Sequence, residues 1–146
     1  MSSKTAEADA ARLAAALSIG YAASMAGEML RTFPLDFLDL LLVFTIATAN
    51  AAPPPESGKQ RQAAAAQRPG ISRNAVSRSL NLPLETVRRR IGNLLAQKVL
   101  IEQADGLVLS PDNPIGLGGN ARMAAVNVEH LRQLFRGLKA IGLKLD

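Results

Sequence analysis

Residues 71–110 read ISRNAVSRSLNLPLETVRRRIGNLLAQKVLIEQADGLVLS, and the pattern changes character twice along that stretch. Ser72 is a good N-cap for a short helix over 73–80, whose inward face offers Ala75, Val76 and Leu80. Asn81 comes next, a residue that tolerates the left-handed backbone needed for a sharp exit, and Pro83 stands where a second helix can begin. From Leu84 onward, Val87, Ile91, Leu94 and Leu95 recur at helical spacing and define one apolar stripe. At about 100° per residue, Glu85, Arg89, Asn93 and Ala96 fall opposite that stripe, with Thr86, Arg88 and Arg90 on its flanks. Gly92 and Ala96 remove bulk from the polar side. Such a face carries hydrogen-bonding tips with room between them, which is what a helix lying in a DNA major groove needs.

Two helices joined by a short turn also make an ordinary core hairpin. The residues after Lys98 narrow the choice. Val99 to Gln103 and Leu107 to Ser110 are short β-favouring runs bracketing Ala-Asp-Gly, and Asp105-Gly106 is a hairpin turn signal. Helix, turn, helix and hairpin in that order predict a winged helix, its wing reaching the DNA backbone or minor groove through Gln103 and its neighbours Asp105 and Gly106.

Residues 71–110 resemble the winged helix-turn-helix of bacterial transcriptional regulators. The resemblance is carried by Ser77 at the small position of the first helix, Asn81 at the turn, and Leu82-Pro83 leading into Glu85-Thr86-Val87-Arg88-Arg89. That last run is similar to the recognition-helix start of cyclic-AMP-receptor-like and GntR-like regulators. A long helix in front and another behind is the element order of the MarR family. The resemblance implies a homodimer on a pseudo-palindromic operator, one recognition helix per half-site. Three features depart from the family pattern. Asn81 and Lys98 stand where glycine is usual, and a left-handed Lys98 would be strained by roughly 1 kcal/mol. The wing has no Asp-X-Arg-Asp motif, its own charges Glu102 and Asp105 being acidic. The 51–70 insertion is also long for the superfamily.

Charge sits in the same place. Seventeen basic and twelve acidic side chains give the whole chain +5. Within 71–98 there are Arg73, Arg78, Arg88, Arg89, Arg90 and Lys98 against Glu85, so this segment alone carries the excess and the flanking segments balance. A basic surplus confined to one stretch fits a polyanion, although a solvated charged face has the same composition.

Outside this stretch the chain reads as helices and punctuation. Residues 6–32 are alanine-rich with early acids Glu7 and Asp9, predicting one long helix with Ser2, Ser3 or Thr5 as caps. Ala16, Gly20 and Ser24 recur every four positions, a stripe that lets another backbone approach. LAAALSIGYAASMAG has the apolar middle of a secretory signal, but the acids before it speak against one. Pro34 is expected at the first position of a second helix, with Asp36 at its positive end; this helix is apolar almost all round from Phe37 to Ala49 and too short to cross a bilayer, so it reads as a buried core helix. AAPPPESGKQRQAAAAQRPG at 51–70 reads as an extended Pro/Ala-rich linker with one short helical piece. PDNPIGLGG at 111–119 is a loop, and its GLGG follows no strand of a βαβ unit and lacks the Lys-Ser or Lys-Thr after it that a phosphate loop requires. Asn120 caps a last helix to about residue 142, with Met123, Val126, Val128, Leu131, Leu134, Phe135 and Leu138 as its apolar face, Arg132, Arg136 and Lys139 toward its end, and His130 in a structural or exposed place.

Composition limits the chemistry. The 146 residues suit one domain, with a dimerisation helix over 1–33, a winged helix over 34–110 and a C-terminal helix over 120–142. There is no cysteine and one histidine, which removes disulfides, thiolate metal sites and Ser-His-Asp catalysis; no catalytic residue, metal or cofactor is expected. The expectation is a cytoplasmic, mainly α protein with a β-hairpin wing that regulates transcription by binding double-stranded DNA rather than by catalysis. Glu85, Thr86, Arg89 and Asn93 are the base-contact candidates. Ser72, Arg73, Arg78, Arg88 and Arg90 are the phosphate-contact candidates. The alternatives are a protein-interaction module and a nucleic-acid binder without operator specificity. No membrane partner is expected. A homodimer through the first and last helices is, because neither can bury its apolar stripe alone. A small-molecule effector near Tyr21 and Met25 has no charged or aromatic cluster to identify it.

Overall fold

The computed structural model describes residues 3–51, 69–112 and 120–143. Most of the 51–70 insertion, most of the 111–119 loop and the Ser2 cap therefore lie outside the described residues. Five helices and one hairpin are described: α1 (Ser3–Thr32), α2 (Phe37–Asn50), α3 (Arg73–Leu80), α4 (Leu84–Ala96), β1 (Leu100–Gln103), β2 (Gly106–Leu109) and α5 (Ala121–Ala140). They divide into two compact units, Leu35–Gly119 and the combination of Met1–Pro34 with Asn120–Asp146.

In the central unit, α2 packs on α3, α4 and β2, and α3 packs on α4. Leu40, Leu42, Val43, Ile46, Val76, Val87, Ile91, Leu94, Leu100, Leu107 and Val108 are fully covered. The expected stripe of α4 is thus the inward one, with Leu95 half-buried at its edge. Ser72 caps α3 by accepting from the Ala75 amide at 3.1 Å, and Asn81 ends it in the left-handed region (φ 52°, ψ 45°). Lys98 is left-handed too, at φ 58°.

Three local expectations are corrected. Pro34 does not start α2: the Asp36 carboxylate accepts from the Asp39 amide at 2.9 Å and so caps the helix itself, leaving the proline in the approach. Nor is α2 covered all round, for Phe37 is 56% exposed and Leu41, Phe44, Thr45 and Thr48 border an open groove. The hairpin turns on Ala104-Asp105 rather than Asp105-Gly106, because Gln103 pairs with Gly106. Gly106 has φ 132°, and a Cβ there would sit 2.6 Å from the Ile71 carbonyl oxygen. Glycine is required because Ile71 exchanges backbone hydrogen bonds with Leu107 (3.1 and 2.8 Å), adding a short third rung to the hairpin. Buried Asn50 locks this edge. Its amide donates to the Pro69 and Leu107 carbonyls at 2.7 and 3.1 Å, and its side-chain oxygen accepts from the Leu109 amide at 3.0 Å.

In the other unit α1 and α5 lie antiparallel. Leu17 touches Gly137, where a Cβ would come within 2.8 Å, and the Tyr21 hydroxyl donates to Asn127 at 2.5 Å. Further along, Thr32 meets the Met123 sulfur and Arg122 meets Glu28. The face of α5 turned to α1 therefore runs Met123, Asn127, His130, Leu134, Gly137, spaced four, three, four, three. The single apolar face expected for this helix is in fact two, since Val128 and Phe135 are 44% and 51% exposed. The helix α1 starts at Ser3, which puts Glu7 and Asp9 beyond its first turn, and only Met25 and Met29 of its thirty residues are buried. It is long and apolar enough, by composition, to cross a membrane, with 11% of its most apolar window covered.

Candidate nucleic-acid interface

The outer side of α4 is built by the same periodicity that builds the core. With Val87, Ile91 and Leu94 inward, Glu85, Arg89, Asn93 and Ala96 are all exposed and Thr86 is half-buried at the edge. Arg89 and Asn93 stand one turn apart on this surface. At Gly92 an added Cβ would meet nothing within 4 Å. A mid-helix glycine lowers helix stability by roughly 0.5–1 kcal/mol relative to alanine. No packing need among the described residues explains it.

The phosphate-contact candidates differ in how far their charges are already used. Arg90 is largely covered and lies against α2, donating to Asp36 at 2.6 Å and Asp39 at 3.1 Å. The hydrogen bond from Arg90 holds the Asp36 carboxyl below its ordinary range, helped by the Asp39 amide, and Asp36 in turn raises Arg90. That arginine is a tie between α2 and α4. Arg88 reaches back three residues to Glu85 at 2.8 Å, both being exposed, an arrangement worth a few tenths of a kcal/mol in water. Arg73, at the start of α3, is gripped by Glu102 on β1, whose carboxyl it holds low. Arg78 and Arg89 are exposed and have no ion pair among the described residues. The Ser72 oxygen serves the cap, which leaves its hydroxyl proton available to an outside acceptor.

The hairpin's acids are spoken for as well. Asp105 accepts from the Gly70 amide at 2.8 Å, and Glu102 takes Arg73, so both carboxylates point into the unit's own framework while Gln103 stays exposed at the end of β1. Sequence reasoning placed the arginines on the correct sides of α4 but not their partners. The relevant acids lie 51 and 54 positions before Arg90 and 29 after Arg73, separations at which a linear pattern carries no contact information. Asn50 was missed for another reason: it stands at the end of an apolar run, where an asparagine reads as a helix stop, and its amide proves to tie the helix to both the hairpin and the end of the insertion. No protein-family model, curated protein or solved structure matches the chain.

Proposed function

We propose that the chain is a sequence-specific, double-stranded-DNA-binding transcriptional regulator of the winged helix-turn-helix kind, with α3 and α4 as its two helices, β1–β2 as its wing and α4 in the major groove. The observation that carries this reading is the outer face of α4, where exposed Arg89 and Asn93 stand one turn apart beside Gly92, at which an added Cβ would meet nothing within 4 Å. Arginine matches guanine in the major groove, asparagine matches adenine, Glu85 matches the cytosine amino group, and Thr86 the thymine methyl. Ser72, Arg73, Arg78 and Arg88 supply phosphate contacts that set register and affinity but carry no sequence information. Arg90, occupied by two acids, leaves this set. The regulator works as a homodimer joined through α1 and α5, presenting two copies of α4 to two half-sites.

The division of labour among the arginines is the test. Binding to genomic fragments, selected and sequenced, defines the preferred site. On that site Arg89→Ala costs roughly 1–3 kcal/mol and flattens preference at one base pair, whereas Arg78→Ala weakens cognate and random duplexes alike. Equal losses on cognate and random DNA for both variants, in a gel-shift series, would remove the base-reading role. Enrichment of no fragment would leave at most a nucleic-acid binder without an operator.

A further inference from the structure

A cleft of 340 Å³ runs between the start of α3 and the hairpin, bordered by Ser72, Arg73, Asn74 and Arg88 on one side and by Glu102 and Gln103 on the other. Across it Glu102 meets Arg73 with both carboxylate oxygens, one on each terminal guanidinium nitrogen, the second at 3.3 Å. This fork is the geometry in which an arginine takes two oxygens of a phosphodiester. The carboxylate thus stands where a backbone phosphate would stand, and Arg73 serves only one of them at a time. Neither side chain is deeply covered, at 30% and 50% exposure, so the pair is hydrated, weak and exchangeable. Asp105, on the same hairpin and anchored to the Gly70 amide, adds a second fixed negative charge to that rim.

We propose that this cleft is the seat of a DNA backbone phosphodiester and that Glu102 is its built-in competitor, occupying Arg73 until phosphate displaces it. The inference rests on the DNA-binding reading and adds to it a residue that sets how tightly any duplex is held. The exchange is neutral in charge: Arg73 leaves a carboxylate for a phosphate, and the freed carboxylate collects its own counterions. Arg73 then contributes little to the salt dependence of binding as long as Glu102 is present. Without the carboxylate, Arg73 meets phosphate as an unpaired cation and one more condensed counterion is released. Because only the backbone is touched, cognate and random duplexes respond in the same proportion.

The experiment is a double-mutant cycle on a labelled random-sequence duplex and on the selected site, read by fluorescence anisotropy from about 50 to about 200 mM salt. The full-length chain is used as wild type, Glu102→Gln, Arg73→Ala and the double variant, with thermal melts to show that all four are folded. Glu102→Gln is expected to tighten both duplexes by about two- to fivefold at the lower salt and to steepen the slope of log K against log salt by about 0.9. In the Arg73→Ala background the same change yields less than about a twofold gain and no change of slope. An equal gain with and without Arg73 overturns the competitor role, since it would mark Glu102 as a general negative charge. No gain at all overturns it equally. If the wild type binds neither duplex at the lower salt, the DNA-binding reading itself falls, an outcome separate from wild-type binding that Glu102→Gln leaves unchanged.

Discussion

The central unit and the terminal helix pair solve the burial problem in opposite ways. In α4 every large apolar residue lies on one side, and Val87, Ile91 and Leu94 end fully covered. In α1 the apolar residues are mostly alanine and point in all directions, and Leu13 and Ile19 remain 51% and 68% exposed. A helix with a sharp apolar stripe states where its core is. A helix that is mildly apolar all round requires neighbours on several sides, and among the described elements α1 packs chiefly on α5. The first unit is closed; the second has surface to spare.

The largest effect that sharpens this contrast is in the closed unit. Ile91→Ala removes a side chain of zero exposure from the inward stripe of α4, and is expected to cost about 2–5 kcal/mol in a urea titration. Phe135→Ala, on the open surface of α5, is expected to change the stability of the monomeric fold by less than about 0.5 kcal/mol. Similar losses for both would mean that the terminal pair is as closed as the centre.

A second effect concerns what covers the open surface. Beside the face of α5 that meets α1, a second set, Ala124, Val128, Leu131 and Phe135, recurs with the same four-three-four spacing, which is the spacing of a helix-helix seam. In the proposed homodimer this seam meets its copy. Wild-type chain at micromolar concentration is then expected by light scattering at twice 15.4 kDa, and Phe135→Glu is expected to weaken association at least about tenfold without unfolding the chain. Monomeric wild type that instead partitions onto lipid vesicles through α1 would replace the partner copy with a bilayer.

The two units were also unequally legible. In the 71–110 stretch, periodicity, caps and turn residues all point to one arrangement, and the observed elements fall within one or two positions of it; the left-handed backbone at Asn81 follows from a residue that tolerates it, whereas nothing in the lysine itself announces the one at Lys98. That agreement has a physical cause, since each of these signals acts over fewer than about five residues. Long-range pairing has no such local cause. The Arg73–Glu102 and Arg90–Asp36 contacts and the hold of Asn50 on β2 emerge only once the chain is folded, and they change which arginines of the basic segment are free to meet a polyanion. In α5, assigning every apolar residue to one face merged two, because Leu134 and Phe135 are adjacent in sequence, yet Leu134 lies beside Leu17 and Tyr21 of α1 while Phe135 is left half exposed.

The smallest effect separates stability from function within α4 itself. Gly92 occupies the middle of the helix with no atom placed to clash with a Cβ, so Gly92→Ala is expected to stabilise the fold by about 0.5–1 kcal/mol, measured as a raised urea midpoint at unchanged slope. Were the glycine a neutral accident, binding to the selected DNA site would be unchanged or follow the gain in stability. If α4 lies against base edges, the added methyl occupies the space between Arg88, Arg89 and Ala96 where the groove floor must approach, and affinity for the cognate site falls while the fold is tighter. A variant that is more stable and binds less well locates the open side of α4 at the ligand; one that is more stable and binds as before leaves that side facing only solvent, and with it the contrast between the sealed inner face and the working outer face is lost.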